Sequence, residues 1–88
     1  MTVDSRPELT PRLLEAVERA LSGDCQAAHL IVQEHESDPM AAWIHAIVHR
    51  MEGDLGNARY WYGRCRRELR EDVSTEAELR EVKAALAL

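Results

Sequence analysis

Laid on itself at an offset of 30 residues, the 88-residue chain repeats its own pattern of apolar and turn-forming side chains. Leu13-Leu14 falls on Trp43-Ile44, Ala16-Val17 on Ala46-Ile47, and Leu21 on Met51. Gly23-Asp24 then matches Gly53-Asp54 letter for letter, and Ala28 matches Ala58. A period of this size marks an array of supersecondary units, each supplying an apolar face that its neighbour covers. The repeat therefore narrows the choice of fold before any single residue is interpreted.

Local signals divide each unit into two helices. Thr10-Pro11 and Asp38-Pro39 each read as an N-cap followed by proline at the first helical position, where a missing N–H is harmless. Leu9 and Leu14 have the spacing of a hydrophobic staple across the first of these starts. Gly23 and Gly53 stand where a helix ends in a left-handed residue, and Asp24 and Asp54 are placed to cap the next helix at once. Met40, Trp43, Ile44, Ile47, Val48 and Met51 form an unbroken stripe at helical spacing. Ala28, Ile31, Val32 and His35 form a second, and Leu55, Ala58, Tyr62, Cys65 and Leu69 a third. Alternation at period two is absent, so strands are not expected. A last helix is predicted to open near Ser74 or Thr75, with Thr75 and Glu78 at capping-box spacing and Leu79, Val82 and Leu86 on one side. These signals predict an all-α chain: a tail over residues 1–9, then one domain over residues 10–88. Two helical hairpins build that domain, and a fifth helix covers the open end of the array.

The run from Gly53 to Cys65 resembles the second half of a tetratricopeptide repeat. That family places a glycine at the hairpin turn, alanine five residues on, an aromatic four later and a small residue after three more. Here these are Gly53, Ala58, Tyr62 and Cys65, and the first unit supplies Gly23, Ala28, Val32 and His35. The resemblance covers residues 10–70, with a period of 30 in place of the family's usual ~34. It implies a superhelix of antiparallel helix pairs and a non-catalytic role in holding a protein partner. The stretch from His49 to Tyr62 is also similar to a group of small bacterial proteins, a likeness that carries no mechanism.

Composition sets outer bounds. Hydrophobic residues make up 45% and charged residues 31%, which supports a packed core rather than a disordered chain. No run approaches the roughly 20 apolar residues of a membrane span. The segment from Met1 to Glu8 lacks the apolar centre of a signal peptide, so a cytoplasmic location without membrane attachment is expected. Net charge is −5, with 3 basic and 8 acidic residues before position 50 and 8 of each from there on. Such a balance argues against nucleic-acid binding, which wants a continuous basic face. Arg59, Arg64, Arg66, Arg67 and Arg70 are the local exception, and their spacing predicts a solvated helix face making i,i+4 pairs. Cys25 and Cys65 lack any compact metal-ligand spacing and read as small apolar residues.

Two groups of side chains stand out. His45, His49 and Glu52 share one face of the third helix, opposite its apolar stripe, and two histidines one turn apart can chelate a transition metal. Tyr60, Trp61 and Tyr62 are consecutive and cannot all face one core at about 100° per residue. Tyr62 is expected inside, and Tyr60 and Trp61 join Arg50, Arg59 and Arg64 as a contact surface for a protein partner, since Trp, Tyr and Arg concentrate at interface hot spots. His29 and His35, with Glu34 and Glu36, read as the solvated end of the second helix. No nucleophile elbow, phosphate loop or dinucleotide fingerprint is present, so neither catalysis nor a cofactor is expected. The leading expectation is a non-catalytic protein-interaction module, with self-association through the fifth helix as a companion. The alternative is a small-molecule or metal-binding domain centred on His45, His49 and Glu52.

Overall fold

The computed structural model describes residues 6–88, with side chains from residue 9 onward. Five helices follow one another: α1 (Arg6–Leu21), α2 (Cys25–Val32), α3 (Pro39–Met51), α4 (Leu55–Arg64) and α5 (Thr75–Leu86). A single 3-10 turn, Gln33–His35, extends α2. No strand occurs among the described residues.

The 30-residue repeat reappears as a repeat of turn geometry. At the end of α1 the Gly23 N–H donates to Ala20 and the Asp24 N–H to Arg19; at the end of α3 the Gly53 N–H donates to Arg50 and the Asp54 N–H to His49. Both glycines adopt a positive φ, 90° and 80°, which closes the last helical carbonyls in a Schellman turn without a Cβ penalty. The aspartates then cap the next helix, Asp24 accepting from the Ala27 N–H and Asp54 from the Asn57 N–H. Asp38 does the same for α3 through the Ala41 N–H, with Pro39 at the first position.

Burial follows the same register. Leu13 and Trp43, Ala16 and Ala46, Val17 and Ile47, Ala28 and Ala58, Ile31 and Trp61, and Val32 and Tyr62 are all buried pairs at the 30-residue offset. Helix α3 is the central element, packed against α1, α2, α4 and α5, and every residue from Ala41 to Val48 is buried. A helix buried all round has no solvent face on which to place polar residues cheaply, so His45 inside it has a role to explain.

Four expectations change. Helix α1 begins at Arg6 rather than at Thr10-Pro11, leaving Pro11 inside it. Pro11 forfeits one bond, to the carbonyl of residue 7, and the extra turn places Leu9 inside the helix, packed on the core one turn before Leu13, and not at a position preceding an N-cap. The part of the expected tail that covers residues 1–5 lies outside the described residues. Helix α4 stops at Arg64, so Leu69, Arg66, Arg67 and Arg70 lie on the α4–α5 connection and not on a helix face. Helix α5 is capped by Ser74, whose hydroxyl accepts from the Ala77 N–H. Glu78 is thereby released from a capping box and turns into the core. Finally, α5 does not stack beyond α4: it lies against α1 and α3, placing Leu79 and Val82 in the core and leaving the outer side of α4 uncovered.

Candidate metal centre

Helices α2 and α3 run antiparallel out of the link 36–38. His29 stands seven residues before that link and His45 seven after it, which brings the two side chains to the same level of the hairpin. His49 follows His45 by one turn on the same face. The three rings meet in a compact group. His29 approaches His45 edge-on at 4.7 Å between centroids and His49 at 5.1 Å, while His45 and His49 stack at 5.0 Å with planes 13° apart.

One nitrogen from each ring can be chosen so that all three lie within 4.8 Å of one another. A tetrahedral zinc ion with Zn–N near 2.0–2.1 Å holds its nitrogens about 3.3 Å apart. The rings would therefore close by at most ~1.5 Å, within reach of small side-chain rotations in a pre-formed group. The Nδ1 atoms of His45 and His49 are buried and have no hydrogen-bond partner. Leaving a buried polar atom unsatisfied costs roughly 1–3 kcal/mol. Three imidazoles whose nitrogens converge form a donor set that fits a borderline transition metal.

The surroundings hold the group and give it charge. Trp61 of α4 lies flat on His45, with centroids 3.9 Å apart and planes at 14°. The carboxylate of Glu52 is 3.4 Å from His49 Nδ1 and that of Asp54 is 3.9 Å away. Neither contact is a hydrogen bond, and both place a carboxylate beside the ring. Burial first, and then the neighbouring His29 and His49, hold His45 down to about pKa 3, so its ring is neutral and available as a ligand at neutral pH. Cys25, one turn before His29, has its thiol pushed up by burial and by the charges of Glu52 and Asp24. Burial likewise raises Cys65, whose Sγ instead contacts the Trp61 and Tyr62 carbonyls of its own helix. Neither thiol has the depressed pKa of a nucleophile.

The metal-ligating residues read from sequence are thus brought together, but with a different membership. His45 and His49 take part, Glu52 stands at the edge, and His29 joins although it read as solvated. The interhelical register of the α2–α3 hairpin was the signal for it. The partner-contact group is divided. Trp61 is buried at 8% exposure. Arg50 is also withdrawn: its side chain, 10% exposed, lies against the fully buried Glu78 and also donates to the Val73 carbonyl. Glu78 accepts from Arg50 at 2.8 Å, from the Trp43 indole at 2.8 Å and from the Tyr62 hydroxyl at 2.7 Å, which together join α3, α4 and α5. Arg59, Tyr60 and Arg64 remain on the surface, with the Arg64 guanidinium donating to the Tyr60 hydroxyl at 2.9 Å.

No family model matches the chain, and no similar protein is found among curated sequences or solved structures. No helix among the described residues is long and apolar enough to cross a membrane.

Proposed function

We propose that this chain is a small, non-catalytic helical binding module whose ligand is a divalent transition-metal ion of the zinc class, held by His29, His45 and His49. One observation carries the reading: three imidazoles from two helices converge, and two of them bury a ring nitrogen that nothing in the protein satisfies. The paired hairpins, similar in their turn and small-residue spacing to tetratricopeptide units, serve here as the rigid frame that fixes the α2–α3 register. Glu52 supplies a carboxylate at the rim, fit to neutralise the ion's charge or to complete its shell. The metal is structural in kind, tying α2 to α3, since no thiol or acid–base pair beside it is poised for chemistry. Arg50 and Trp61 belong to the frame and not to a contact surface.

Calorimetric titration of the purified, chelator-treated chain with zinc tests this. Binding of one equivalent is expected, with a raised unfolding temperature by mass action, and the cobalt form should show the intense visible bands of a tetrahedral site. Absence of heat and of thermal shift, or binding that survives in His29→Ala and His49→Ala, removes the reading.

A further inference from the structure

Among the described residues the basic side chains divide into two sets. Arg12, Arg19, Arg50, Arg70, Arg80 and Lys83 each lie within ion-pair distance of a carboxylate. Arg59, Arg64, Arg66 and Arg67 have no such pairing among the described residues, and all four lie on α4 or the connection just beyond it. Two clefts open there, of about 350 and 340 Å³. Arg59, Tyr62, Gly63 and Leu69 line the first and Arg66, Arg70 and Glu78 the second, with Arg67 and Glu68 shared by both. Glu78 has its oxygens occupied by Arg50, Trp43 and Tyr62, and Arg70 is held by Glu81 at 2.9 Å. Glu71 and Asp72, exposed on the same connection, line neither cleft. Three unpaired guanidiniums against the single carboxylate of Glu68 leave the double cleft positive in a protein that is negative overall.

The backbone adds a second, independent sign. The Arg67 N–H donates to the Tyr62 carbonyl and the Arg66 N–H to Gly63, the same Schellman pattern that ends α1 and α3. In those two turns the left-handed position is Gly23 or Gly53; in this one it is Arg66, with φ 61°. Glycine takes this conformation freely and arginine only at a cost. The basic charge that a helix C-terminus favours is already supplied in the last turn by Arg64. An arginine kept in a strained conformation where this chain elsewhere uses glycine points to its side chain being needed. Arg67 is held as well: its guanidinium carbon lies 3.4 Å from the centroid of the Trp43 ring, a cation–π seat that fixes the position of the group.

We infer that the α4–α5 connection is a docking surface for a short acidic segment of a partner protein, whose carboxylates pair with Arg59, Arg66 and Arg67 while Tyr60 and Arg64 form the flanking contact. Charge complementarity selects this occupant. Guanidinium forks match carboxylates two bonds at a time, and two small adjoining clefts suit successive acidic side chains. A long polyanion such as RNA would extend beyond this patch over a protein of net charge −5, which opposes it. The surface is separate from the histidine cluster, and the inference stands or falls independently of the metal.

The test is fluorescence-anisotropy titration of the full chain with a labelled decapeptide of alternating Glu and Asp, beside the same length of Gln and Asn, in 50 and 300 mM salt. Saturable binding of the acidic peptide alone, weakened by salt, is expected. Arg67→Gln should weaken it about tenfold, as expected on removing one charge-assisted pair. Arg66→Gly should also weaken it about tenfold while raising the unfolding temperature and leaving the helical circular-dichroism spectrum unchanged, which separates a lost contact from a damaged fold. Equal affinity for the neutral peptide overturns the inference, as does binding indifferent to both variants. Tighter association with an RNA oligomer or with phosphatidylserine vesicles than with the acidic peptide overturns it too.

Discussion

The indole of Trp61 lies parallel to the His45 imidazole at 3.9 Å between centroids, and the same indole meets the exposed Tyr60 ring edge-on at 5.1 Å. Trp61 is therefore the wall between the histidine group and the outer surface of α4. Its position converts the state of His45 into an optical signal.

In a Trp43→Phe background, emission from Trp61 should change on zinc addition and saturate with the same stoichiometry as calorimetry. Metal ligation makes the imidazole more electron-poor against the indole face, which strengthens the stack. Replacing the wall itself, Trp61→Ala, removes a large buried side chain and should destabilise the fold by about 3–5 kcal/mol, seen as a lower urea midpoint.

Stability should fall in acid through His45. Its folded-state pKa of about 3 lies below the ordinary histidine value, so the unfolded chain binds the extra proton first. Stability is then fully present above about pH 6.5 and is lost as pH falls from there toward 3. A loss on the order of 3 kcal/mol is expected between pH 7 and pH 4, and His45→Phe should flatten that part of the profile. Urea unfolding at pH 7, 5.5 and 4 checks both statements; the His45→Phe protein tracking the native one through this range would contradict the assignment.

Glu78 is the polar joint of the core. Its carboxylate accepts from Trp43, Arg50 and Tyr62, and burial first, then the bond to Glu78, raises the Tyr62 hydroxyl pKa. Glu78→Ala leaves Arg50 without its partner in a largely buried site and strands two further donors, so a loss of about 3–5 kcal/mol is expected. Glu78→Gln keeps the shape and one acceptor and should cost less. Equilibrium denaturation of the two variants side by side gives the order.

The three Schellman turns make opposite predictions for the same position. At Gly23 and Gly53 an added Cβ meets nothing within 4 Å, so Gly53→Ala should cost only the backbone strain of a positive φ, about 1 kcal/mol. Arg66→Gly should gain a similar amount. Thermal unfolding of the two single variants measures both signs.

Much of this architecture was legible in the residues. The 30-residue offset located both glycine turns, both aspartate caps and the buried pairs from Leu13/Trp43 to Ala28/Ala58, because each depends on local geometry or helical periodicity. The path of α5 was not legible, because Ser74 and Thr75 are equally good caps and a one-residue change in start decides whether Glu78 faces solvent or the core. The end of α4 was missed because Arg66 occupies a position where glycine would have announced a stop. His45 and His49 were found from their i,i+4 spacing on one helix. His29 was not, because nothing local to α2 distinguishes it from a solvated histidine; only the pairing of α2 with α3 across the link 36–38 turns it inward. Arg50 and Trp61 read as surface residues for the same reason, since their partners Glu78 and His45 come from other helices.

The central claim is that His29, His45 and His49 share one ion, and long-range proton–nitrogen correlation spectra of the histidine rings during a zinc titration test it most directly. The ring nitrogens of these three residues should shift together and stop at one equivalent, while those of His35 stay in place. If the three do not move, or if His35 moves with only one of them, the cluster is not a metal centre.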